Sequence, residues 1–220
     1  MIKGLIFDFD GLILDTELPN LHAWQEIYQK YGYKFPFEKY VLVIGSDESA
    51  FNPLNYLVEI SGKNINPVDV SIEHREILLQ KLAFAELMPG VKEYLETAKK
   101  LRLLTAIASS SNDEWVFGHL ERLGAKDYFN SVITAGPVLP AKPNPTVYKI
   151  ALNSLGCRAN QAIAFEDSKN GILAARDAGI FCVAVPNSVT INMDFFESNL
   201  QIPSLLTLSL PDLIAIVESS

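Results

Sequence analysis

The segment IKGLIFDFDGLILDTE at residues 2–17 contains the strand that organises the chain. Residues 2–9 form a largely apolar run, which is typical of a parallel strand buried on both faces. Asp8 and Asp10 stand at the end of this run, two positions apart. Side chains at positions i and i+2 of an extended chain point to the same side. The segment therefore predicts a buried strand that delivers two carboxylates to one place.

Outward from this strand, apolar runs of strand length alternate with helical patterns. Further strands are predicted at residues 103–108, 131–134, 162–165 and 181–185. Helices are predicted around them at residues 91–101, 113–123, 145–155 and 171–178. Such an alternation is typical of the α/β class. We therefore predict a doubly wound, parallel, Rossmann-like sheet with helices on both faces.

One interval is too long for this pattern. A strand–helix–strand unit needs roughly 30 residues, and the interval between the first two predicted strands is roughly three times as long. Helical patterns occupy this interval at residues 19–31, 53–61 and 67–84. We predict a catalytic core of residues 1–14 and 89–220 with an inserted small helical cap domain at residues 15–88. Ligands of open α/β sheets bind at the carboxyl ends of the strands, so this cap overhangs the crevice.

The composition narrows the class of partner. The chain has 220 residues, of which 49% are hydrophobic and 20% charged, as in ordinary globular proteins. A net charge of −8 argues against a nucleic-acid partner, because no basic stripe offsets phosphate repulsion. No apolar stretch is long enough to span a membrane, and Cys157 and Cys182 lack the spacing of a metal or redox motif. We predict a cytoplasmic monomer, and the net charge leaves room for a small phosphorylated metabolite as partner, because such a substrate needs only local positive charge.

Polar residues stand at or beyond the carboxyl ends of the predicted strands. They are, in strand order, Asp8 with Asp10, Ser109, Lys142, and Glu166 with Asp167. The carboxyl ends of parallel strands share one edge of the sheet, so we expect these side chains to meet. Close carboxylates repel one another, and burial increases the cost, so a cation is needed between them. The hard cation Mg²⁺, which prefers oxygen ligands, is the predicted cofactor.

Each of these signals has a simpler explanation when it is taken alone. Aspartates are common in turns, a loop lysine is most often solvated, and adjacent acids after a strand can cap the next helix. The serines at residues 109–111 can also cap a helix, but a capping box that begins at Ser111 leaves Ser109 free to bind an anion. The convergence of all these signals on one sheet edge favours a site that binds Mg²⁺ and an anion.

Together these residues resemble the haloacid dehalogenase superfamily, in the subgroup with a small helical cap. The motifs that carry the resemblance are DFDGLILDTE at residues 8–17, Ser109, Lys142-Pro143 and Glu166-Asp167. The resemblance extends from residue 1 to about residue 185, and its motifs are specific at the level of the superfamily. It implies a capped α/β core and phosphoryl-transfer chemistry.

The resemblance also implies a role for each motif residue. Asp8 is the expected nucleophile, and Asp10 is the expected general acid and base. Ser109 and Lys142 are expected to contact the phosphate. The expected metal ligands are Asp8, Asp167, the backbone carbonyl of Asp10 and, in the outer coordination sphere, Glu166.

These roles predict a Mg²⁺-dependent phosphatase. It would hydrolyse a small phosphomonoester, such as a sugar phosphate, through an aspartyl-phosphate intermediate. One alternative is a sugar-phosphate mutase of the β-phosphoglucomutase type. A second alternative is a non-catalytic phosphoacceptor signalling module, which also uses an acidic Mg²⁺ pocket. Such modules resemble a short sheet without a cap, so the insertion at residues 15–88 disfavours this second alternative.

The cap residues predicted to contact the substrate are Asn20, Gly45, Ser46 and Glu48, and a plain helix connection is the alternative explanation for the last three. In the mutases that this chain resembles, a histidine stands at the position of Asn20 and a phosphate-binding arginine near that of Glu48. Both replacements favour hydrolysis, because a mutase must hold a bisphosphorylated intermediate away from water. His22 and Arg75 are the residues that could take over these two functions.

Overall fold

The computed structural model describes residues 1–45, 51–62, 65–136 and 139–219. Within these ranges, one six-stranded parallel sheet contains β1 (Gly4–Phe7), β2 (Leu104–Ser109), β3 (Ser131–Thr134), β4 (Ala162–Glu166), β5 (Phe181–Ala184) and β6 (Leu200–Gln201). The spatial order is β3-β2-β1-β4-β5-β6, and every neighbouring pair is parallel. The first strand is therefore central, and the strand order reverses beside it. The predicted Rossmann-like sheet is confirmed.

The α-helices of the described ranges are α1 (Glu17–Lys30), α2 (Phe37–Tyr40), α3 (Pro53–Ser61), α4 (Pro67–Leu82), α5 (Val91–Lys100), α6 (Asp113–Arg122), α7 (Thr146–Leu155), α8 (Lys169–Asp177) and α9 (Leu210–Ser219). Two of them, α3 and α4, begin with a proline behind an asparagine, Asn52 or Asn66, whose side chain accepts a backbone N–H. No helix in these ranges combines the length and the apolar character that crossing a membrane requires.

Among the α-helices and strands of the described ranges, three lie outside the sequence prediction, namely α2, β6 and α9. The first two have four and two residues, which is too short for a hydrophobic period to identify them. The third, α9, buries Leu210 and Leu213 in the main core beside the sheet. The C-terminal part of the chain, for which the sequence offers no motif, is thus an integral part of the fold.

The two faces of the sheet carry side chains of different size. Large side chains such as Leu5, Phe7 and Phe165 lie on the face covered by α5, α6 and α9. The opposite face, covered by α7 and α8, carries the alanines of three strands, Ala106, Ala108, Ala162, Ala164 and Ala184. Adjacent residues of a strand point to opposite faces, so one sequence supplies both layers. The sheet is buried on both sides, and the strand ends that carry the polar residues are firmly held.

The helices α1–α4 have an apolar core of their own. Its buried members include Trp24, Ile27, Tyr28 and Leu57. A smaller cluster of Ala23, Leu78 and Leu82 connects these helices to Trp115 of α6. We interpret α1–α4 as the predicted cap, and its limits at residues 15–88 remain a prediction.

Candidate active site

The ends of three strands bring polar residues together where the strand order reverses. Asp8 follows β1 directly, Glu166 is the last residue of the neighbouring β4, and Asp167 comes next. On the other side of β1, β2 ends with Ser109. Open α/β sheets bind ligands in the crevice at this point of reversal. The residues singled out in the sequence are therefore gathered at the expected binding edge.

The loop that follows β1 depends on Gly11. This residue has a φ of +76°, and a Cβ atom there would lie 2.2 Å from Asp167 Oδ2. Only glycine combines the required backbone freedom with the absence of a side chain. Asn187 Nδ2 donates to the Gly11 carbonyl at 3.2 Å and to Asp167 Oδ2 at 2.7 Å. The loop and Asp167 are thereby held against each other.

Lys142 lies beside Asp8 and is 2% exposed. Its ammonium group donates to Asp8 Oδ1 and, at 2.7 Å, to Glu166 Oε1. The hydroxyl of Tyr148 donates to the same Glu166 oxygen. Burial opposes the charge on Lys142, but the carboxylates of Asp8 and Glu166 outweigh it and raise the pKa of the lysine above its ordinary value. Lys142 therefore carries a lasting positive charge next to Asp8.

Negative charge exceeds positive charge around this lysine. One carboxylate oxygen from each of Asp8, Glu166 and Asp167 lies within 4.8 Å of the others, and all three residues are buried. Burial raises the pKa of Asp8 to about 8, against the effect of Lys142 and with a contribution from Glu166. Burial, followed by the charge of Asp8, also raises the pKa of Asp167. Among the described residues, Glu166 Oε2 has no hydrogen-bond partner. The cluster can therefore hold a metal ion, and its all-oxygen ligands fit Mg²⁺.

Asp10 is half-buried, and both of its carboxylate oxygens accept hydrogen bonds. Trp115 Nε1 donates to Oδ1 at 2.8 Å, and Ser111 Oγ donates to Oδ2 at 2.6 Å. The predicted capping box at Ser111 is wrong, because Asn112 is the N-cap of α6 and its Oδ1 accepts the Trp115 N–H at 3.0 Å. The Ser111 side chain is instead directed to Asp10.

The serines after β2 have separate contacts. Ser109 is buried, and its Oγ accepts the backbone N–H of Ser111 at 3.0 Å. Ser110 Oγ donates to the Gly45 carbonyl at 2.9 Å and accepts the Lys142 backbone N–H at 3.1 Å. Ser110 therefore joins the sheet edge, the lysine loop and the cap. The expected contact between Ser109 and phosphate remains a prediction.

A cavity of about 200 Å³ lies between the sheet edge and the cap helices. Asp8 and Asp10 line it from the sheet side, and Glu17, Asn20 and Tyr40 line it from the cap side. Burial, together with the charges of Asp10 and Asp8, raises the pKa of Glu17 to about 8. Asn20 Nδ2 donates to the Tyr40 hydroxyl at 2.6 Å, which in turn donates to Glu17 at 3.3 Å. The cap therefore contributes a connected set of polar groups.

An outer groove of about 780 Å³ shares Asn20 and Trp115 with this cavity. It is also lined by His74 and Arg75 of α4. Arg75 pairs with Glu114 of α6 at 2.9 Å, and both side chains are largely exposed. The groove provides room for a group larger than the one that the inner cavity accepts.

The predicted cap residues have different outcomes. Asn20 and Gly45 both line the inner cavity. Gly45 has a φ of +76°, and a Cβ atom there would lie 2.1 Å from Ser168 Oγ, so the cap approaches the core closely at this point. Ser46 and Glu48 lie outside the described residues. The substrate contacts expected of all four remain predictions.

Several residues of this site are missed by the sequence analysis. They are Glu17, Tyr40, Ser110, Trp115, Tyr148 and Asn187. Of these, Glu17 carried a usable signal, since it is the last residue of the motif at residues 8–17. The others become neighbours of the motif residues only through the packing of distant parts of the chain.

The sheet order, the buried lysine and the acidic cluster define an α/β enzyme whose pocket can hold a cation. Residues 5–185 match the model of the family described as haloacid dehalogenase-like hydrolase. The chain belongs to this family and is a phosphoric monoester hydrolase.

Two curated relatives and one solved structure are similar over most of the chain. The "Putative phosphatase YhcW" of Bacillus subtilis (strain 168) is 41% identical over 210 residues, which cover 96% of this chain and 95% of that protein. The "Phosphorylated carbohydrates phosphatase" of Thermotoga maritima is 31% identical over 183 residues, covering 81% of this chain and 82% of that protein. The crystal structure of CbbY from Rhodobacter sphaeroides in complex with phosphate has a TM-score of 0.78 at 24% identity, over 97% of this chain and 100% of that one. The similarity to CbbY shows a shared fold.

Proposed function

We propose that this chain is a Mg²⁺-dependent phosphatase that hydrolyses a sugar phosphate through an aspartyl-phosphate intermediate on Asp8. The observation that carries the proposal is the setting of Asp8. Its carboxylate contacts Lys142, belongs to the acidic cluster with Glu166 and Asp167, and lines a polar cavity. The relative named as a phosphatase of phosphorylated carbohydrates supports the substrate class.

The residues that would hold Mg²⁺ are Asp8, Asp167 and the backbone carbonyl of Asp10, with Glu166 in the outer coordination sphere. When bound, the ion neutralises charge on the phosphoryl oxygens and so reduces their repulsion of the carboxylate nucleophile. Lys142 also neutralises charge on the phosphoryl oxygens, because it is a fixed positive charge at a buried position where electrostatic interactions are strong. Glu166 and Tyr148 keep the ammonium group in position.

In the first step, a carboxylate oxygen of Asp8 attacks phosphorus and forms the aspartyl phosphate. The bond between phosphorus and the leaving oxygen breaks at the same time, and Asp10 transfers a proton to that oxygen. In the second step, Asp10 takes a proton from a water molecule, which attacks phosphorus. The bond to Asp8 breaks, inorganic phosphate is released, and both carboxyl groups return to their starting states.

The cap side of the cavity favours a leaving group rich in hydroxyls. Glu17, Asn20 and Tyr40 present donors and acceptors there. Asn20 Oδ1 has no partner among the described residues, so it can accept a hydrogen bond from the substrate. A site that bonds substrate hydroxyls rejects analogues that lack them, because its buried polar groups would remain unpaired.

Isomerisation by a mutase is the competing reaction, and it differs from hydrolysis in the fate of the aspartyl phosphate. A mutase must bind a second phosphate far from Asp8 and keep water away. Arg75 is the cationic residue that lines the outer groove, but it is paired with Glu114. This pairing favours hydrolysis, because the charge of Glu114 offsets that of Arg75 and so weakens its attraction for a second phosphate.

The test is a screen of phosphate release with Mg²⁺ over hexose and pentose phosphates, glycerol phosphates and nucleoside monophosphates. We expect the highest kcat/KM for a sugar phosphate. A parallel incubation contains β-glucose 1-phosphate, catalytic glucose 1,6-bisphosphate and Mg²⁺. Rapid formation of glucose 6-phosphate with little free phosphate would overturn the proposal in favour of a mutase.

A further inference from the structure

Trp115 of α6 binds the Asp10 carboxylate from the core side of the cavity. Its indole Nε1 donates to Asp10 Oδ1 at 2.8 Å, while Ser111 Oγ donates to Oδ2 at 2.6 Å. An indole nitrogen can only donate a hydrogen bond, so Oδ1 is always the acceptor in this contact. The bond to Oδ1 can persist when Asp10 is protonated, because the proton then lies on Oδ2, whose partner Ser111 Oγ can accept as well as donate. With both oxygens engaged, the Asp10 side chain has little freedom to rotate.

The position of Trp115 is itself fixed by the core. Its backbone N–H donates to the N-cap residue Asn112 at 3.0 Å. Its ring stands edge-on to the buried His119, with ring centroids 4.4 Å apart and an interplanar angle of 77°. His119 in turn lies beside Phe9, the residue between the two motif aspartates, at a centroid distance of 6.4 Å. The indole is thus supported by neighbours on α6 and on the loop that carries Asp10.

Trp115 also contacts the cap. It packs against the apolar cluster of Ala23, Leu78 and Leu82, which belong to α1 and α4. The neighbouring ion pair between Glu114 and Arg75 is exposed to solvent and stabilises this contact little. Apolar burial of the indole therefore provides the main connection at this point. A displacement of α1 and α4 would remove the packing that keeps the indole against Asp10.

We infer that Trp115 is a positioning residue, which orients the Asp10 carboxylate for proton transfer and couples this orientation to the packing of the cap helices. The inference rests on the proposed function, in which Asp10 protonates the leaving oxygen. Trp115 acts through Asp10 and does not need to touch the reacting atoms. Loss of its N–H should therefore impair those reactions that need a proton from Asp10 and spare those that do not.

The test compares two probes of similar shape, phenyl phosphate and p-nitrophenyl phosphate. Phenolate is a poor leaving group that benefits from protonation, whereas p-nitrophenolate leaves readily without it. Trp115→Phe removes the N–H and keeps an aromatic ring. We expect kcat/KM to fall about tenfold for phenyl phosphate and about twofold or less for p-nitrophenyl phosphate. The parameter kcat/KM is chosen because it reports the steps up to phosphoryl transfer.

The matched control is Trp24→Phe, at the other tryptophan of the chain. Trp24 belongs to the apolar core of the cap, and its Nε1 has no partner among the described residues. Both probes should respond to this substitution by about twofold or less. A leaving-group-dependent loss in Trp24→Phe that equals the one in Trp115→Phe would overturn the inference.

A double-mutant cycle with Asp10→Asn distinguishes an effect of Trp115 on the position of Asp10 from an effect of Trp115 on the stability of the whole protein. If Trp115 acts through Asp10, Trp115→Phe has no further effect on phenyl phosphate hydrolysis in the Asp10→Asn background. Additive losses would overturn the inference. Ser111→Ala provides a second variant in case Trp115→Phe does not fold, and it should show the same selective loss. Equal losses on both probes in Ser111→Ala and in a folded Trp115→Phe would also overturn it.

Failure of the proposed function has a different signature. Asp10→Asn would then hydrolyse phenyl phosphate as fast as the wild type, or the wild type would release phosphate from no compound of the sugar-phosphate screen. Either result overturns the inference together with the function. A large loss in Asp10→Asn combined with an unselective response in Trp115→Phe overturns the inference and leaves the function standing.

Discussion

The two sides of the cavity differ in how far their polar atoms are satisfied. On the sheet side, the buried residues Asp8 and Lys142 bond each other, and Glu166 bonds Lys142. On the cap side, Asn20 Oδ1 and Thr16 Oγ1 have no hydrogen-bond partner among the described residues. The charged side chains of the sheet side are thus largely paired with one another before a substrate arrives, whereas the cap side has hydrogen-bonding capacity left over.

This difference suggests a division of labour within one pocket. A pre-arranged set of charges suits phosphoryl transfer, whose demands are the same for every phosphomonoester. Unfilled donors and acceptors suit the part of the substrate that varies, namely the leaving group. Within the described ranges, Glu166 Oε2 is the buried sheet-side atom without a hydrogen-bond partner, and it belongs to the cluster that can hold a cation. We therefore expect changes on the sheet side to abolish turnover and changes on the cap side to alter selectivity.

The largest effect is expected from Asp8→Asn. This nearly isosteric change removes the nucleophile, so kcat should fall by more than about 10³-fold while the fold is retained. Phosphate release and circular dichroism are the measurements, with mass spectrometry to exclude deamidation. The control is Asp127→Asn at an exposed position, for which activity should not change. A variant that keeps a tenth of the wild-type activity would show that Asp8 is not the nucleophile.

Metal dependence distinguishes the members of the acidic cluster. A chelator should remove activity, and added Mg²⁺ should restore it. Asp167→Asn should raise the Mg²⁺ concentration needed for half-maximal activity by more than about 100-fold, and Glu166→Gln by about tenfold, as expected for a direct ligand and an outer one. The measurement is a Mg²⁺ titration of initial rates. Undiminished turnover in excess chelator would contradict the metal assignment.

A smaller and more selective effect is expected on the cap side. Asn20→Ala should lower kcat/KM for the best sugar phosphate of the screen by about tenfold, which corresponds to the loss of one buried hydrogen bond. For p-nitrophenyl phosphate, which lacks hydroxyls, the change should stay within about threefold. His22→Ala, at an exposed position of the same helix, is the control. Equal losses on both substrates would contradict a role of Asn20 in recognising the leaving group.

The smallest effect concerns the stability of the metal-free protein. The pKa of Asp8 is raised from 3.8 to about 8 by burial, so the folded state binds more protons than the unfolded state in this range of pH. The free energy of unfolding must then fall as the pH rises from the ordinary pKa of 3.8 to the raised pKa of about 8. In chelator we expect a loss of about 1–2 kcal/mol from about pH 6 to about pH 8, which lowers Tm by a few degrees.

Saturating Mg²⁺ should reduce this dependence, because the ion binds the deprotonated carboxylates. The measurement is Tm as a function of pH with and without Mg²⁺. Asp8→Asn should reduce the dependence in chelator, and the raised pKa of Glu17 should maintain the remainder. A Tm that rises between about pH 6 and about pH 8 in chelator would contradict the raised pKa of the cluster.

The sequence by itself determined the sheet and the residues at its edge. Apolar runs at residues 2–9, 103–108 and 162–165 identify buried strands, because a strand covered on both faces has few polar positions along its length. The motif residues could be read from the same runs, since each directly follows a strand or lies in the loop after one. Parallel strands bring their carboxyl ends to one edge whatever the details of packing, so the gathering of Asp8, Ser109 and Glu166 follows from topology.

The tertiary structure alone decided which atoms meet. The bond from Trp115 to Asp10 joins residues 105 positions apart, and the bond from Tyr148 to Glu166 joins two elements that no periodicity relates. The polar set of Glu17, Asn20 and Tyr40 forms because α1 and α2 pack against each other. A hydrogen bond depends on distances of a few tenths of an ångström. Local hydrophobic patterns specify secondary-structure elements and their buried faces, but they carry no information at that scale. The contact of Trp115 with Asp10 and the polar set on the cap side therefore form only when the helices pack together.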